Sequence, residues 1–192
     1  PYFEETYYVT PSRLEADPQA RVEQRVAEAC AAYGLAHGPV HAELRVDGRE
    51  AWVLEIAART IGGHCGRLLR FGTGYGLEEL VLAQALGRAV DPAGEGEAAG
   101  VLMIPVPRRG VLRRVEGVAA ARRVPHVEDL EITVREGYEL VPPPEGDQYL
   151  GFVFAKAPTP AAAEAALREA HACLNVVTAP VFRVVASARR AG

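Results

Sequence analysis

From Val40 to Ala57 the chain alternates between apolar and polar positions with a period of two, interrupted at Asp47-Gly48. Val40, Ala42, Leu44 and Val46 fall on one side of a first strand, and His41, Glu43 and Arg45 on the other. In the second strand Trp52, Leu54 and Ile56 alternate with Val53, Glu55 and Ala57. Two such runs around an Asp-Gly pair predict a β-hairpin. Just upstream the period changes. Val22, Val26, Ala29, Cys30 and Tyr33 recur at helical spacing, with Asp17 as N-cap, Pro18 in the first turn and Gly34 as the stop. A second helix is predicted over 77–87, closed by Gly87. The small, acidic segment 91–100 reads as a boundary.

Beyond it, "VLMIPVPRRGVLRRVEGV" predicts two strands around Arg109-Gly110. Further strands are predicted in "DLEITVREGYELV" and "QYLGFVFAKA". A helix opens at Thr159-Pro160. The tail from Asn175 carries no clear period. The pattern predicts an α+β fold with antiparallel sheet in both halves. The expected division is 1–97, 98–178 and a C-terminal tail 179–192.

Composition narrows the function classes. The 192 residues are 49% hydrophobic and 24% charged, which suits a globular chain. The net charge of −4 argues against a nucleic-acid partner. No apolar run reaches membrane-spanning length, and "PYFEETYYVT" lacks the makings of a signal peptide. Cys30, Cys65 and Cys173 are widely spaced and form no metal or redox pattern, so a cytoplasmic location is expected. Lys156 is the only lysine. The chain opens directly on strand-like aromatic residues without an initiator methionine, which suggests a fragment or processed piece.

Chemistry concentrates in the hairpin. A tight Asp47-Gly48 turn would mix apolar and polar faces. A loop one residue longer makes the apolar sets coincide and sets Glu43 diagonally across from Glu55; a longer loop sets them directly opposite. Either way two carboxylates leave one face of neighbouring strands. A solvated polar face is the plainer account of such a pattern. Against it, facing like charges need compensation, and Mg²⁺ is typically held by one or two carboxylates plus substrate phosphates. Arg59, just past the strand, adds a planar fork for phosphate or carboxylate.

"HAEL" followed by "VLEIAARTIGG" resembles the metal-binding hairpin of the ATP-grasp superfamily of carboxylate–amine ligases. In that family the second strand ends Glu-x-Asn-x-Arg. Here Ala57 stands where the metal-ligating Asn is usual, which leaves the number of metal ions open. Glu-x-Ala-Ala-Arg followed by glycines is similar to the L-amino-acid ligase and carnosine-synthase-like branch. The opening "FEETYYVTPSRL" resembles the flanking part of such ligases. The later segment from Gly137 to Ala170 resembles the C-terminal domain that closes over their active site.

The resemblance implies the C-terminal half of an ATP-grasp domain followed by a smaller α+β domain. It implies ATP and Mg²⁺ (or Mn²⁺) as cofactors, with Glu43 and Glu55 as metal ligands. Arg59 would be catalytic and phosphate-binding, and Gly62, Gly63 and His64 would contact phosphate or substrate. The implied reaction activates a carboxylate as an acylphosphate, which an amine then attacks. The lysines and glycine-rich flap that cover the phosphates in this family lie in a preceding half, absent here, so the isolated chain is expected to be inactive. Expected partners are a small carboxylate, a small amine and the missing N-terminal half. A homodimer is left open. Alternatives are a biotin-carboxylase-like or purine-biosynthetic ATP-grasp enzyme, or a non-catalytic binding or regulatory half domain. His41 reads most simply as a surface-strand residue, Cys65 as a packed thiol, Trp52 as core, and Arg108, Arg109, Arg113 and Arg114 as a solvated basic tip.

Overall fold

A computed structural model describes residues 6–48, 50–62, 64–68, 75–89 and 97–182. The chain runs β1 (Tyr7–Thr10), α1 (Ala16–Tyr33), β2 (His41–Val46), β3 (Ala51–Ala57), a 3₁₀ turn (Cys65–Leu68), α2 (Leu77–Ala85), β4 (Ala98–Ile104) and β5 (Gly110–Glu116). There follow α3 (Val118–Ala121), β6 (Val127–Ile132), β7 (Glu139–Leu140), β8 (Gly151–Ala157), α4 (Pro160–Ala172) and β9 (Asn175–Ala179). Every strand pairing is antiparallel. The α+β class follows.

Three sheets organise these strands: β1-β4-β8-β6, the hairpin β2-β3, and β7-β5-β9. The four-stranded sheet carries the core. β4 is buried at all seven positions and β8 at six of seven, as expected of central strands covered on both faces. One face, with Leu102, Ile104, Leu130, Val153 and Ala155, packs on Ala166, Leu167 and Ala170 of α4. The opposite face presents Val101, Met103, Phe152 and Phe154 to Tyr8, Cys65 and Tyr149. β1 precedes the hairpin in sequence but pairs with β4, Tyr7 opposite Leu102 and Thr10 opposite Ala99. At Gly100 a Cβ would come within 2.9 Å of Leu167 Cδ1 and 3.2 Å of Tyr8 O, so glycine permits this three-way approach.

Several local expectations change. α1 begins at Ala16 with Glu15 as N-cap, which puts Asp17 in the first turn, where its charge complements the helix dipole. Gly34 does end it, at φ 70°. Val22, Val26, Ala29 and Cys30 are half-buried on one stripe, but Tyr33 is 74% exposed. β4 and β5 form no hairpin across Arg109-Gly110: they lie in different sheets. Pro105 and Pro107 between them remove backbone donors and break the pairing. The segment at Asn175 is a strand after all, paired with β5. α4 begins as expected, Thr159 Oγ1 accepting from Ala162 N at 3.2 Å. Segment 91–96 and the tail from 183 lie outside the described residues.

Candidate functional site

The hairpin's register decides the site. Val46 pairs with Ala51, Arg45 with Trp52 and Leu44 with Val53, so Asp47 to Glu50 form a four-residue connection rather than the expected three. Asp47 Oδ1 accepts from Glu50 N at 2.9 Å and closes the turn. The pairing then slips by one. Leu54 has no partner, and Glu43 pairs with Glu55, Ala42 with Ile56 and His41 with Ala57. The bulge thus corrects the faces: a longer loop shifts the tip by one residue, and the extra residue at Leu54 shifts β3 again before Glu55.

Two consequences follow. Glu43 and Glu55 are directly opposite, so both side chains project from one face. Trp52, opposite Arg45, shares that carboxylate face and is 60% exposed, as is Leu54. Trp52 is therefore not core. The one-residue difference in the loop moved it to the other side.

The two carboxylates have different neighbours. His41 Nε2 lies 3.2 Å from Glu43 Oε1, and the His41 side chain is only 12% exposed. His41 is thus held against Glu43 rather than standing as a bland surface residue. The period-two pattern already put both on one face; what it lacked was any sign of burial. Glu55 Oε1 lies 3.7 Å from Arg59 Nη2, with both side chains about half exposed. Arg59 Nη1 also donates to Thr60 O at 3.0 Å. A short turn, Arg59 N donating to Ala57 O at 2.8 Å, aims Arg59 back along the strand. Among the described residues no group of three His, Cys, Asp or Glu side chains is placed to hold a metal ion. Two acids facing each other across a ladder are a donor set that fits a hard divalent cation whose remaining ligands are water and phosphate oxygens.

The loop beyond Arg59 leads into the sheet. Gly62 O accepts from Cys65 N at 3.2 Å; Gly63 lies outside the described residues. His64 has a left-handed φ of 56° and meets the Phe152 ring at 4.9 Å in a T-shaped arrangement. Cys65 is half-buried in the Phe152–Phe154 cluster, a packed thiol. Arg67 ion-pairs with Asp129 at 3.0 Å and Glu131 at 3.1 Å. The structure thus groups Glu43, Glu55, Arg59 and His41 at the hairpin. His64 stands against the second sheet face. The basic segment is not a free tip either: Arg108 Nε donates to Thr178 Oγ1 at 3.0 Å, and Arg109 pairs with Glu139 at 2.7 Å.

Comparison with known proteins meets this geometry. Residues 1–67 match the family model of the ATP-grasp domain, and residues 102–179 that of the L-amino acid ligase C-terminal domain 2. An L-amino acid ligase from Bacillus licheniformis superposes with a TM-score of 0.79 at 29% identity, over 93% of this chain and 45% of that one. Phosphoribosylglycinamide synthetase from Anaerococcus prevotii gives a TM-score of 0.70 at 15% identity, over 93% of this chain and 48% of that one. A biotin carboxylase from Campylobacter jejuni gives 0.61 at 19%, over 91% of this chain and 40% of that one. The latter two show the shared fold. No curated protein sequence matches the chain. The resemblance to the ATP-grasp ligases, and to their L-amino acid ligase branch, is thereby shown over both parts of the chain. The chain spans under half the length of these solved relatives. No described helix is long and apolar enough to cross a membrane.

Proposed function

We propose that this chain is the metal- and phosphate-holding half of an ATP-dependent carboxylate–amine ligase that joins a small acid to a small amine through an acylphosphate. The observation that carries this is the direct pairing of Glu43 with Glu55 on one hairpin face, with Arg59 at 3.7 Å from Glu55. The match of residues 102–179 to an L-amino acid ligase domain favours amide formation over carboxylation.

Glu43 and Glu55 would hold Mg²⁺ or Mn²⁺. When bound, the metal supplies charge neutralisation to the ATP phosphates. His41 orients the Glu43 carboxylate. Arg59 presents a guanidinium fork to the transferring phosphoryl group and to the acylphosphate oxygens as negative charge develops there. Gly62 and Gly63 carry no Cβ, which would let the acyl intermediate approach closely. Cations covering the far side of the phosphates belong to a preceding half of the same protein. The few, widely spaced cysteines of the sequence favour a reducing, cytoplasmic setting.

The test is ADP release and amide formation with Mg²⁺, ATP and a panel of amino acids, on the chain alone and joined to its preceding half. The chain alone should release no ADP. The joined protein should form amide, with about a hundredfold or greater loss in Glu55→Gln, the scale on which single transition-state charge contacts act. ADP release by the chain alone would overturn the need for a second half. ADP release by the joined protein without amide would overturn the ligase reading.

A further inference from the structure

A cleft of about 470 Å³ lies between the loop that follows Arg59 and the sheet face carrying Phe152. None of Glu43, Glu55 and Arg59 lines it. Buried Phe152 and half-buried Tyr149 form its floor, and His64, Arg135, Tyr138 and Gln148 stand around its rim. Each wall has a local cause. His64 is turned onto Phe152 by its left-handed backbone. Arg135 and Tyr138 come from one turn between β6 and β7, closed by Tyr138 N donating to Arg135 O at 3.3 Å. Gln148 and Tyr149 precede β8, and Tyr149 packs at 6.2 Å from Phe152.

Charge distinguishes this cleft. Arg135 makes no ion pair among the described residues. Glu139 in β7 is paired with Arg109 at 2.7 Å, and Glu136, next to Arg135 in the chain, is not among the described lining residues. None of the described lining residues is acidic. An apolar, aromatic floor with an uncommitted guanidinium at the rim fits an amphipathic anion. A carboxylate matches the guanidinium fork in a bidentate way, and a flat ring can pack against Tyr149 and Phe152. An ammonium group would meet no acidic side chain among the described lining residues.

We propose that this cleft is a binding site for a small aromatic carboxylate, with the carboxylate on Arg135 and the ring against Tyr149 and Phe152. His64 closes the side that faces the Arg59 loop. The site needs neither ATP nor metal. It goes beyond the ligase assignment, because it fixes the charge and shape of a ligand on the second sheet face.

Isothermal titration of the 192-residue chain with phenylacetate is the test, with phenylacetamide, benzylamine and acetate as controls that lack the charge, reverse it or lack the ring. Phenylacetate should bind saturably, and each control about tenfold or more weaker, the scale of one charge-assisted contact. Arg135→Gln should weaken phenylacetate by a similar factor, whereas Arg113→Gln, at an exposed arginine outside the cleft, should leave it unchanged. Amide NMR shifts on titration should centre on residues 135, 138 and 149. Arg135 is exposed, so its variant should fold, which circular dichroism checks. Equal binding of phenylacetamide, indifference to Arg135→Gln, shifts centred elsewhere, or no saturable binding of phenylacetate would each overturn the proposal. Failure of the ligase assignment would appear in the ADP and amide assay instead and would leave these titrations unaffected.

Discussion

The guanidinium of Arg67 lies 4.3 Å from the centre of the Phe154 ring while its nitrogens reach Asp129 and Glu131 at 3.0 and 3.1 Å. One side chain thus ties the 3₁₀ turn beyond the hairpin to β6 and β8. At 43% exposure each ion pair contributes little alone, but the stacked and forked contacts act together. Arg67→Met should lower global stability by about 1 kcal/mol. Its larger effect should be faster amide exchange at residues 64–68, measured by mass spectrometry. Unchanged exchange there would show that the turn is held by packing alone.

His41 against Glu43 predicts a metal-affinity effect without direct ligation. A neighbour that orients a ligating group typically alters affinity about 10–100-fold. In Mn²⁺ titrations read by electron paramagnetic resonance in the presence of ADP, His41→Leu should weaken binding on that scale. His41→Gln, which keeps a donor, should weaken it less. Equal affinity in all three proteins would remove His41 from the site.

The facing carboxylates predict opposite effects on stability and binding. Like charges directly opposite across a ladder cost about 0.2–1 kcal/mol. Glu55→Gln should therefore raise the metal-free melting temperature slightly, or at least not lower it, while abolishing the shift that Mn²⁺ and ADP produce. Scanning calorimetry with and without Mn²⁺ separates the two. A clear loss of metal-free stability would mean that the Arg59 contact outweighs the repulsion.

Most of this was legible in the chain, and the failures share one cause. Period-two alternation placed β2 and β3, and helical spacing placed the half-buried stripe of α1. Which face Trp52 occupies depended on one residue of loop length and on the bulge at Leu54, neither of which leaves a periodic signal. β9 and the partner choice of β4 depended on pairing across long sequence separation. Local patterns carry no information about that, so "NVVTA" had no readable period and the Arg109-Gly110 hairpin was inferred from proximity alone. The cleft at Arg135 was invisible for the same reason: its walls come from three separate segments.

His171 gives the pH dependence. Burial pushes its pKa below the ordinary value of 6.5, and its Nδ1 lies 3.5 Å from Tyr7 OH. The native state therefore binds fewer protons than the unfolded chain just below pH 6.5. Stability is fully present above that value and falls as the pH drops through it toward the lowered native pKa. Melting temperature should decline as the pH falls below 6.5, and less steeply in His171→Gln. Parallel declines would assign the loss to other groups.

The contact of Gly100 with Leu167 predicts two distinct core effects. Leu167→Ala opens a void on the fully buried face and should cost about 2–5 kcal/mol. Gly100→Val adds bulk where a Cβ already meets Leu167 Cδ1 at 2.9 Å and should cost about 1–3 kcal/mol. Chemical denaturation measures both. If the two variants combined are less destabilised than their sum, the added valine fills part of the vacated space.

β1 has a further consequence, for how the chain can be cut. By lying against β4 it keeps a wholly buried, apolar strand from becoming the margin of its sheet. A truncated protein lacking residues 1–15 would present the unpaired N–H and C=O groups of "AAGVLMI" to solvent. Such an edge is a template for pairing with other copies. The truncated protein should aggregate on purification, and a synthetic peptide spanning residues 1–15 should restore its solubility by filling the gap.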